Sequence, residues 1–213
     1  MRITRSTRHA KILALDVSLT STGYAYRDGE GAVTGRFLPK KLLGSARMVF
    51  IREELRKLIE EVQPDLIAYE GYAMNAVGRV FNIGELGGVV RTLIWEMGID
   101  LIVWAPPQIK LAITGSGRAG KNKKDSARKQ AKSKGKAPVP NMCDCISERF
   151  GYYIDQDDEA DAFALLNLAE LRAGICRQPG AFNVQAKSIV SAGELIPGRK
   201  KQPGMQLIAN KRR

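Results

Sequence analysis

The sequence predicts a mixed α/β fold in which a five-stranded sheet carries helices on its faces. Two patterns predict it: short apolar segments between turn residues indicate strands, and apolar residues recurring every three or four positions indicate helices. Three hairpin strands come first, followed by a helix, a strand, a helix, a strand and further helices. That order gives three antiparallel and two parallel strands in one sheet. With 213 residues, 44% of them hydrophobic, the chain can bury the core that such a domain needs.

The first three strands are predicted to form an antiparallel meander. Residues 11–17 (KILALDV) are an apolar segment that ends in a Ser/Thr-rich turn. Residues 23–27 and 32–38 follow as strands, joined by the glycine-containing turn at residues 28–31. Because these connections are short, consecutive strands should pair as neighbours.

Helices and strands then alternate. Residues 45–62 are predicted to be helical because Met48, Ile51 and Leu55 recur at helical spacing, with charged residues on the opposite face. Pro64 marks the end of this helix. The remaining predictions are strands at residues 65–69 and 99–104 and helices at residues 84–97, 108–113, 141–150 and 157–173.

The chain is predicted to divide into three parts. Residues 1–10 form a basic arm, residues 11–173 form the folded domain, and residues 174–213 form a basic, weakly ordered tail. The tail is assigned because glycine and proline punctuate it and because it ends in Lys-Arg-Arg. Within the folded domain, residues 115–140 are predicted to be a mobile basic loop or a frayed helix, since lysine and arginine dominate there.

The charge of the chain indicates a polyanionic partner. Thirty-four lysines and arginines against 22 aspartates and glutamates leave a formal charge of +12. Contacts with phosphates, which release counterions, are the common reason for such an excess. A merely soluble basic surface, or a protein that lies on a membrane surface, is the alternative.

Composition also excludes several kinds of site. The three cysteines give neither a disulfide framework nor a zinc knuckle, and a single histidine, His9, leaves no basis for a histidine triad or a histidine-bound zinc. No apolar run reaches the roughly 20 residues that cross a bilayer. The basic N-terminus is not followed by the apolar segment of a signal peptide. We therefore expect a cytoplasmic protein without a membrane association.

Four carboxylates form the candidate site. Asp16 and Glu70 each end the apolar face of a predicted strand, because alternate residues of a strand share a face. By the same alternation Tyr69 should point away from the site, into packing. Asp158 and Asp161 are three residues apart at the start of the last helix, so they project to one side. A carboxylate at the end of an apolar row is costly unless it is paired or bound to a cation.

These carboxylates predict a site for two divalent ions. Hard oxygen ligands without histidine or cysteine favour Mg²⁺, with Mn²⁺ as a substitute, over zinc. Two such ions about 4 Å apart can activate a water and stabilise the leaving oxygen of a phosphodiester.

Each carboxylate also has a structural alternative. Acidic residues at a helix N-terminus complement the helix dipole. Glu70 could pair with an arginine, and Asp16 could cap a turn. Asp157 or Glu159 could turn inward in place of Asp158. The joint placement on two strands and a helix favours the metal site.

Positive charge after the fifth strand provides the candidate phosphate contacts. Lys110 and the loop that follows it are the candidates, with a solvated, disordered loop as the alternative. Tyr72 could stack on an unpaired base or simply pack. The candidate cations of the loop are Lys121, Lys123, Lys124, Arg128, Lys129 and Lys132.

Four segments resemble the RuvC-like Holliday junction resolvases of the RNase H-like superfamily. They are LALDVSLTSTGYA, IAYEGYAM, WAPPQIKLAITGSGRAGK and DEADAFALLNLAE, in the order and rough spacing of that family, over residues 11–173. Val17-Ser18 follows Asp16 where bacterial members have Pro-Gly. In this respect the sequence is closer to phage versions of the family. Residues 120–140 are also longer and more basic than is usual in the family.

The resemblance implies an RNase H-like fold, a homodimer and paired nicks across a four-way DNA junction. The family's four metal-binding positions fall on Asp16, Glu70, Asp158 and Asp161. Lys110 and, roughly, Lys121 fall on basic positions near the scissile strand. Tyr72 or Met74 lies where the family presents a residue to the opened centre of the junction.

The leading hypothesis is a metal-dependent, structure-selective endodeoxyribonuclease that acts on four-way or other branched DNA. The alternative is a non-catalytic nucleic-acid-binding protein that retains an RNase H-like fold. Four carboxylates facing phosphate would weaken such binding unless metal ions offset them. An actin-like phosphotransferase is a third class, for which the chain is too short and lacks a second glycine-rich phosphate motif.

Overall fold

The computed structural model describes residues 10–29, 31–71, 80–117 and 140–199, which form one six-stranded sheet covered by helices. The strands are β1 (Ile12–Asp16), β2 (Thr22–Asp28), β3 (Gly31–Phe37), β4 (Leu66–Glu70), β5 (Asp100–Trp104) and β6 (Glu194–Ile196). The helices are α1 (Gly44–Val62), α2 (Val80–Glu96), α3 (Pro106–Thr114), α4 (Met142–Phe150), α5 (Asp157–Ala173) and α6 (Ala186–Ala192), with a 3-10 helix at Pro179–Ala181. Among the helices in these ranges, none combines the length and apolar character that crossing a membrane requires.

The sheet combines antiparallel and parallel pairing. Its strand order is β3-β2-β1-β4-β5-β6. β1 pairs antiparallel with β2, and β2 with β3, whereas β4 pairs parallel with β1 on one side and with β5 on the other. This arrangement confirms the predicted mixed sheet. The strand that the sequence does not predict is β6, which pairs antiparallel with β5 at the edge.

Alternate strand residues pack into two separate cores, one on each face of the sheet. On one face α1 and α2 cover Leu13, Leu15 and Tyr69, all buried. Tyr69 therefore packs away from the candidate site, as its position in the strand predicts. On the other face α3, α4, α5 and α6 cover Ile12 and Ala14. Strand residues of even number in β1 thus face α5.

A buried ion pair fixes the C-terminal half of α5 to the sheet. Arg27 of β2 donates from Nε to Glu170 Oε1 at 2.9 Å and from Nη2 to Glu170 Oε2 at 3.0 Å. The same Nη2 lies 2.9 Å from Asn167 Oδ1, which accepts from it. Glu170 is only 4% exposed, so its charge depends on this arginine. The contact holds the C-terminal half of α5 against β2.

The segment that follows α5 folds against the sheet in its described part, through the 3-10 helix, α6 and β6, whereas the sequence predicts a weakly ordered tail over residues 174–213. Trp104 Nε1 donates to the carbonyl oxygen of Ile189 at 2.9 Å. Arg172 Nη1 donates to the carbonyl oxygen of Gly193 at 2.7 Å. A Cβ on Gly193 would lie 2.5 Å from the indole of Trp104, so a glycine fits this close approach. Side chains outside the segment therefore hold it in place, and the composition of the segment does not predict these contacts.

Candidate metal centre

The candidate site lies where β1 and β4 end. Asp16 is the last residue of β1, and Glu70 is the last residue of β4. The two strands are parallel neighbours, with Leu15 paired to Tyr69, so the two carboxylates follow at the same level of the sheet. Both side chains belong to the face that α5 covers, as alternation along the strands predicts.

A third carboxylate joins them from α5. One oxygen from each of Asp16, Glu70 and Asp161 lies within 4.8 Å of the others. Oxygen ligands around one Mg²⁺ ion are about 3–4 Å apart, so small adjustments would bring these three into a coordination shell. Asp161 Oδ1 is buried and has no hydrogen-bond partner in the described part of the chain. A bound cation would satisfy that oxygen, so the residues present fit a divalent metal.

Burial, together with neighbouring negative charges, raises the pKa values of all three carboxyls. For Asp16 burial is the main cause, followed by the charges of Glu70 and Asp161, and its pKa lies well above the ordinary value. Burial, with the charge of Asp161, raises the pKa of Glu70 to about 8. Burial raises the pKa of Asp161 to about 6, against the opposing charge of Lys110. Three ionised carboxylates in this cluster are therefore unfavourable in free energy without a cation, and a bound cation would offset that cost.

Lys110 of α3 adds a positive charge beside the cluster. Its Nζ lies 3.9 Å from Asp161 Oδ2, and its side chain is 26% exposed. Burial lowers the pKa of Lys110, but the charges of Asp161, Glu70 and Asp16 raise it, and the net pKa is above the ordinary value. The ammonium group is therefore protonated, and its exposed fraction can contact a phosphate that approaches the carboxylates.

The first turn of α5 carries three further carboxylates, which the structure directs differently. The charge of Asp158 raises the pKa values of both strand carboxyls, so this residue lies near the cluster, although it lies outside the set of three with close oxygens. Glu159 instead contacts β3, where Thr34 Oγ1 donates to it at 2.9 Å. Asp157 Oδ1 lies 3.6 Å from the thiol of Cys143 and accepts from it. Asp158 therefore remains the candidate fourth ligand.

The other predicted contact residues lie outside the described ranges. They are Tyr72, Met74, Lys121, Lys123, Lys124, Arg128, Lys129 and Lys132. Residues 1–9 and 200–213 also lie outside, with most of the predicted basic loop. The roles assigned to all of these residues stay predictions.

Sequence reasoning missed two contacts that join the start of α5 to the sheet, on β2 and β3. Gly23 pairs with Asp16 in the ladder, and a Cβ at Gly23 would lie 2.5 Å from the carbonyl carbon of Asp158 and nearer still to its oxygen. Only a glycine therefore lets α5 dock here without a shift. The second contact is the hydrogen bond from Thr34 of β3 to Glu159 of α5. The Ser/Thr-rich segment before Gly23 indicates a turn, and nothing local shows that a distant helix will pack against that glycine.

The fold and the site together define a class of protein: an α/β protein of the RNase H-like kind, with carboxylates for a metal at the ends of its central strands. Residues 12–131 match the family model described as crossover junction endodeoxyribonuclease RuvC. Because this match covers more than half of the 213 residues, the chain belongs to the RuvC family.

Relatives from several bacteria are similar to the chain, each named crossover junction endodeoxyribonuclease RuvC. The Gloeobacter violaceus protein is 30% identical over 118 residues, which are 52% of this chain and 68% of the relative. The Petrotoga mobilis protein is 34% identical over 128 residues, which are 60% of this chain and 65% of the relative. The Renibacterium salmoninarum protein is 25% identical over 198 residues, 89% of each chain. A match of that extent necessarily includes α5.

Solved structures support the fold. The Thermus thermophilus RuvC structure has a TM-score of 0.54 and 17% identity, and it covers 78% of this chain and 97% of that one. The same protein in complex with a Holliday junction substrate has a TM-score of 0.56, with 78% and 98% covered. At this identity the likeness concerns the fold, which is RNase H-like as predicted.

Proposed function

We propose that the protein is a metal-dependent endodeoxyribonuclease that nicks four-way (Holliday) junctions or related branched DNA. The observation that carries the proposal is the convergence of Asp16, Glu70 and Asp161 at one edge of the sheet, with oxygens within 4.8 Å. Membership of the RuvC family supports the junction as substrate, since the relatives are named crossover junction endodeoxyribonucleases.

The proposed chemistry assigns a role to each carboxylate. Asp16, Glu70 and Asp161 would hold the metal, and Asp158 would complete the set. Two Mg²⁺ ions, or Mn²⁺ in their place, would supply an activated water and charge compensation at the leaving oxygen of the phosphodiester. The strands and α5 fix the ligand oxygens before DNA arrives, so little reorganisation remains for the reaction step.

Lys110 is proposed to neutralise the phosphate at the scissile bond. Replacing it with methionine, Lys110→Met, should lower the single-turnover cleavage rate by about 100-fold, because one preorganised charge next to the reacting phosphate is lost. Junction affinity should fall much less, since many other phosphate contacts remain. Rates and affinities are measured on the same four-way junction.

A matched control for this prediction is Lys57→Met on α1. The Lys57 side chain is 71% exposed and pairs with Glu54, away from the carboxylates. This variant should cleave at the wild-type rate. A Lys110→Met protein that also cleaves at the wild-type rate would remove Lys110 from the site.

The proposal extends to the assembly and to the surrounding DNA contacts. Paired nicks across a four-way junction need two sites, so the active form would be a homodimer. Residues 11–173 would form the nuclease domain, and the cations of the loop at residues 115–140 would contact phosphates beside the site. Tyr72 or Met74 would meet the opened centre of the junction.

The experiment that tests the function uses three DNA substrates and two metal conditions. The protein is incubated with a four-way junction, a Y-shaped duplex and a linear duplex of equal length, with Mg²⁺ or with EDTA. We expect nicking near the branch in Mg²⁺, none in EDTA and little on the linear duplex. Tight junction binding without cleavage in Mg²⁺ or Mn²⁺ would instead indicate a non-catalytic nucleic-acid-binding protein.

A further inference from the structure

We propose that Thr34 and Arg36, on the edge strand β3, are positioning residues for the metal centre, and that they act through Glu159 on the first turn of α5. This inference rests on the proposed function, because it concerns the geometry of the same metal site. None of the three residues is itself a proposed ligand.

The contacts that connect β3 to α5 involve both oxygens of one carboxylate. Thr34 Oγ1 donates to Glu159 Oε2 at 2.9 Å. Arg36 Nε lies 3.9 Å from Glu159 Oε1. Thr34 and Arg36 are two positions apart on a strand, so both side chains face α5. The Glu159 side chain is 19% exposed, which leaves it largely shielded from water.

Fixing Glu159 sets the rotation of α5 about its own axis. Successive helix residues are about 100° apart, so Glu159 points to β3 while Asp158 and Asp161 point to the ends of β1 and β4. A rotation of about 20° would move a carboxylate about 6 Å from the axis by about 2 Å. Metal–ligand distances tolerate only about 0.2 Å, so a small loss of this alignment would weaken the site.

Repulsion within the site acts against this alignment. One oxygen of Asp161 lies within 4.8 Å of oxygens of Asp16 and Glu70, the two carboxylates of the strands. Like charges therefore push the first turn of α5 away from the strands. The turn has no side-chain cap, since the residue before it, Gln156, makes no capping hydrogen bond. The Arg27 contact holds only the opposite end of the helix, so Thr34 and Arg36 oppose the repulsion where it acts.

The test compares two substitutions of Thr34. Thr34→Val keeps the shape of the side chain but removes the donor, whereas Thr34→Ser keeps the hydroxyl. Mn²⁺ affinity of the full chain is measured without DNA, from the loss of the free-ion electron paramagnetic resonance signal. We expect Thr34→Val to weaken Mn²⁺ binding about 10-fold, because groups that orient metal ligands typically contribute 10- to 100-fold. Thr34→Ser should bind within about 2-fold of wild type, since the hydroxyl that orients Glu159 is retained.

Tyr152→Phe is the matched control for a general loosening of β3. The Tyr152 hydroxyl accepts a hydrogen bond from the backbone N–H of Ala32, also on β3, at 2.6 Å, and this bond does not involve Glu159. This variant should lose thermal stability while binding Mn²⁺ as wild type does. In a Glu159→Ala background, Thr34→Val should have no further effect on Mn²⁺ affinity, because the two residues act as a pair.

Two outcomes would overturn the inference. Either Thr34→Val binds Mn²⁺ as tightly as wild type, or Tyr152→Phe weakens binding by the same factor. In both cases the proposed nuclease function would stand. A wild-type protein that does not bind Mn²⁺ at all would contradict the metal centre itself, and with it both proposals.

Discussion

Replacing Asp16 with asparagine is expected to lower the rate of junction cleavage by about 1,000-fold or more, because a charged metal ligand is lost from the site. Junction binding should persist, since phosphate contacts elsewhere are unaffected. Glu70→Gln should behave in the same way, because Glu70 ends the neighbouring strand at the same level. The measurement is single-turnover cleavage at saturating Mg²⁺.

The same substitution should stabilise the metal-free protein. In EDTA the cluster holds carboxyls whose pKa values burial and repulsion raise, to about 8 for Glu70 and about 6 for Asp161. Asparagine has nearly the same shape as aspartate but no charge, so the repulsion falls. A gain of about 1 kcal/mol would raise the melting temperature by about 2–4 °C in a protein of this size. Asp16→Asn should therefore lower the cleavage rate while raising the stability of the metal-free protein.

The sign of the pH dependence follows from the raised pKa of Glu70. A carboxyl with a higher pKa in the folded state favours folding at low pH, and this contribution is lost as the pH rises through the folded value. The free energy of unfolding of the wild type in EDTA should therefore fall between the ordinary pKa of 4.5 and about 8. Added Mg²⁺ should restore stability to the wild type by mass action and much less to Asp16→Asn.

Glu60→Gln is the control, because Glu60 is exposed on α1. It should change neither the cleavage rate nor the melting temperature in EDTA. Wild-type cleavage by Asp16→Asn would exclude Asp16 as a ligand. A lower melting temperature of Asp16→Asn in EDTA would show that the carboxylates do not repel one another in the metal-free fold.

The strand carboxylates could be predicted because local patterns determine them. Alternation along KILALDV and DLIAYE places Asp16 and Glu70 at the ends of apolar rows, and parallel pairing then brings the two rows together. Helical spacing placed Asp161 on the inward side of α5. The same spacing did not distinguish Asp158 from its neighbours, because three adjacent acidic residues all suit a helix N-terminus. Contacts with β2 and β3 decide which of them faces the strands.

The remaining features depend on residues that are far apart in sequence. β6 forms because the segment after α5 packs on Trp104 and Arg172 and pairs with β5. Thr34 and Glu159 meet only once the sheet and α5 have assembled. Such pairings are products of tertiary packing, which overrides the local composition on which a sequence-based prediction relies. The strand pattern therefore predicts the position of Asp16, but not the distant residues that hold α5 beside it.

Gly23→Ala should disable the metal centre without altering any proposed ligand. The added Cβ would meet the backbone carbonyl of Asp158, with 2.5 Å to the carbon, and a backbone group cannot rotate aside as a side chain can. The first turn of α5 must therefore move away from β2. Overpacking of this kind costs about 1–3 kcal/mol of stability. A displacement of about 1 Å at the ligands should lower the cleavage rate by about 100-fold.

The readouts for Gly23→Ala are Mn²⁺ affinity, single-turnover cleavage and urea unfolding, with Gly180→Ala as the control. Gly180 has no neighbouring atom within 4 Å of an added Cβ and should tolerate alanine in all three measurements. If Gly23→Ala kept wild-type Mn²⁺ affinity, the approach of α5 to β2 would not control the site. If it lost Mn²⁺ binding but unfolded at nearly the wild-type urea concentration, the clash would be relieved by movement of the first turn alone. That outcome would place the weakest point of the fold at the start of α5, which carries Asp158 and Asp161 and where the repulsion between carboxylates is concentrated.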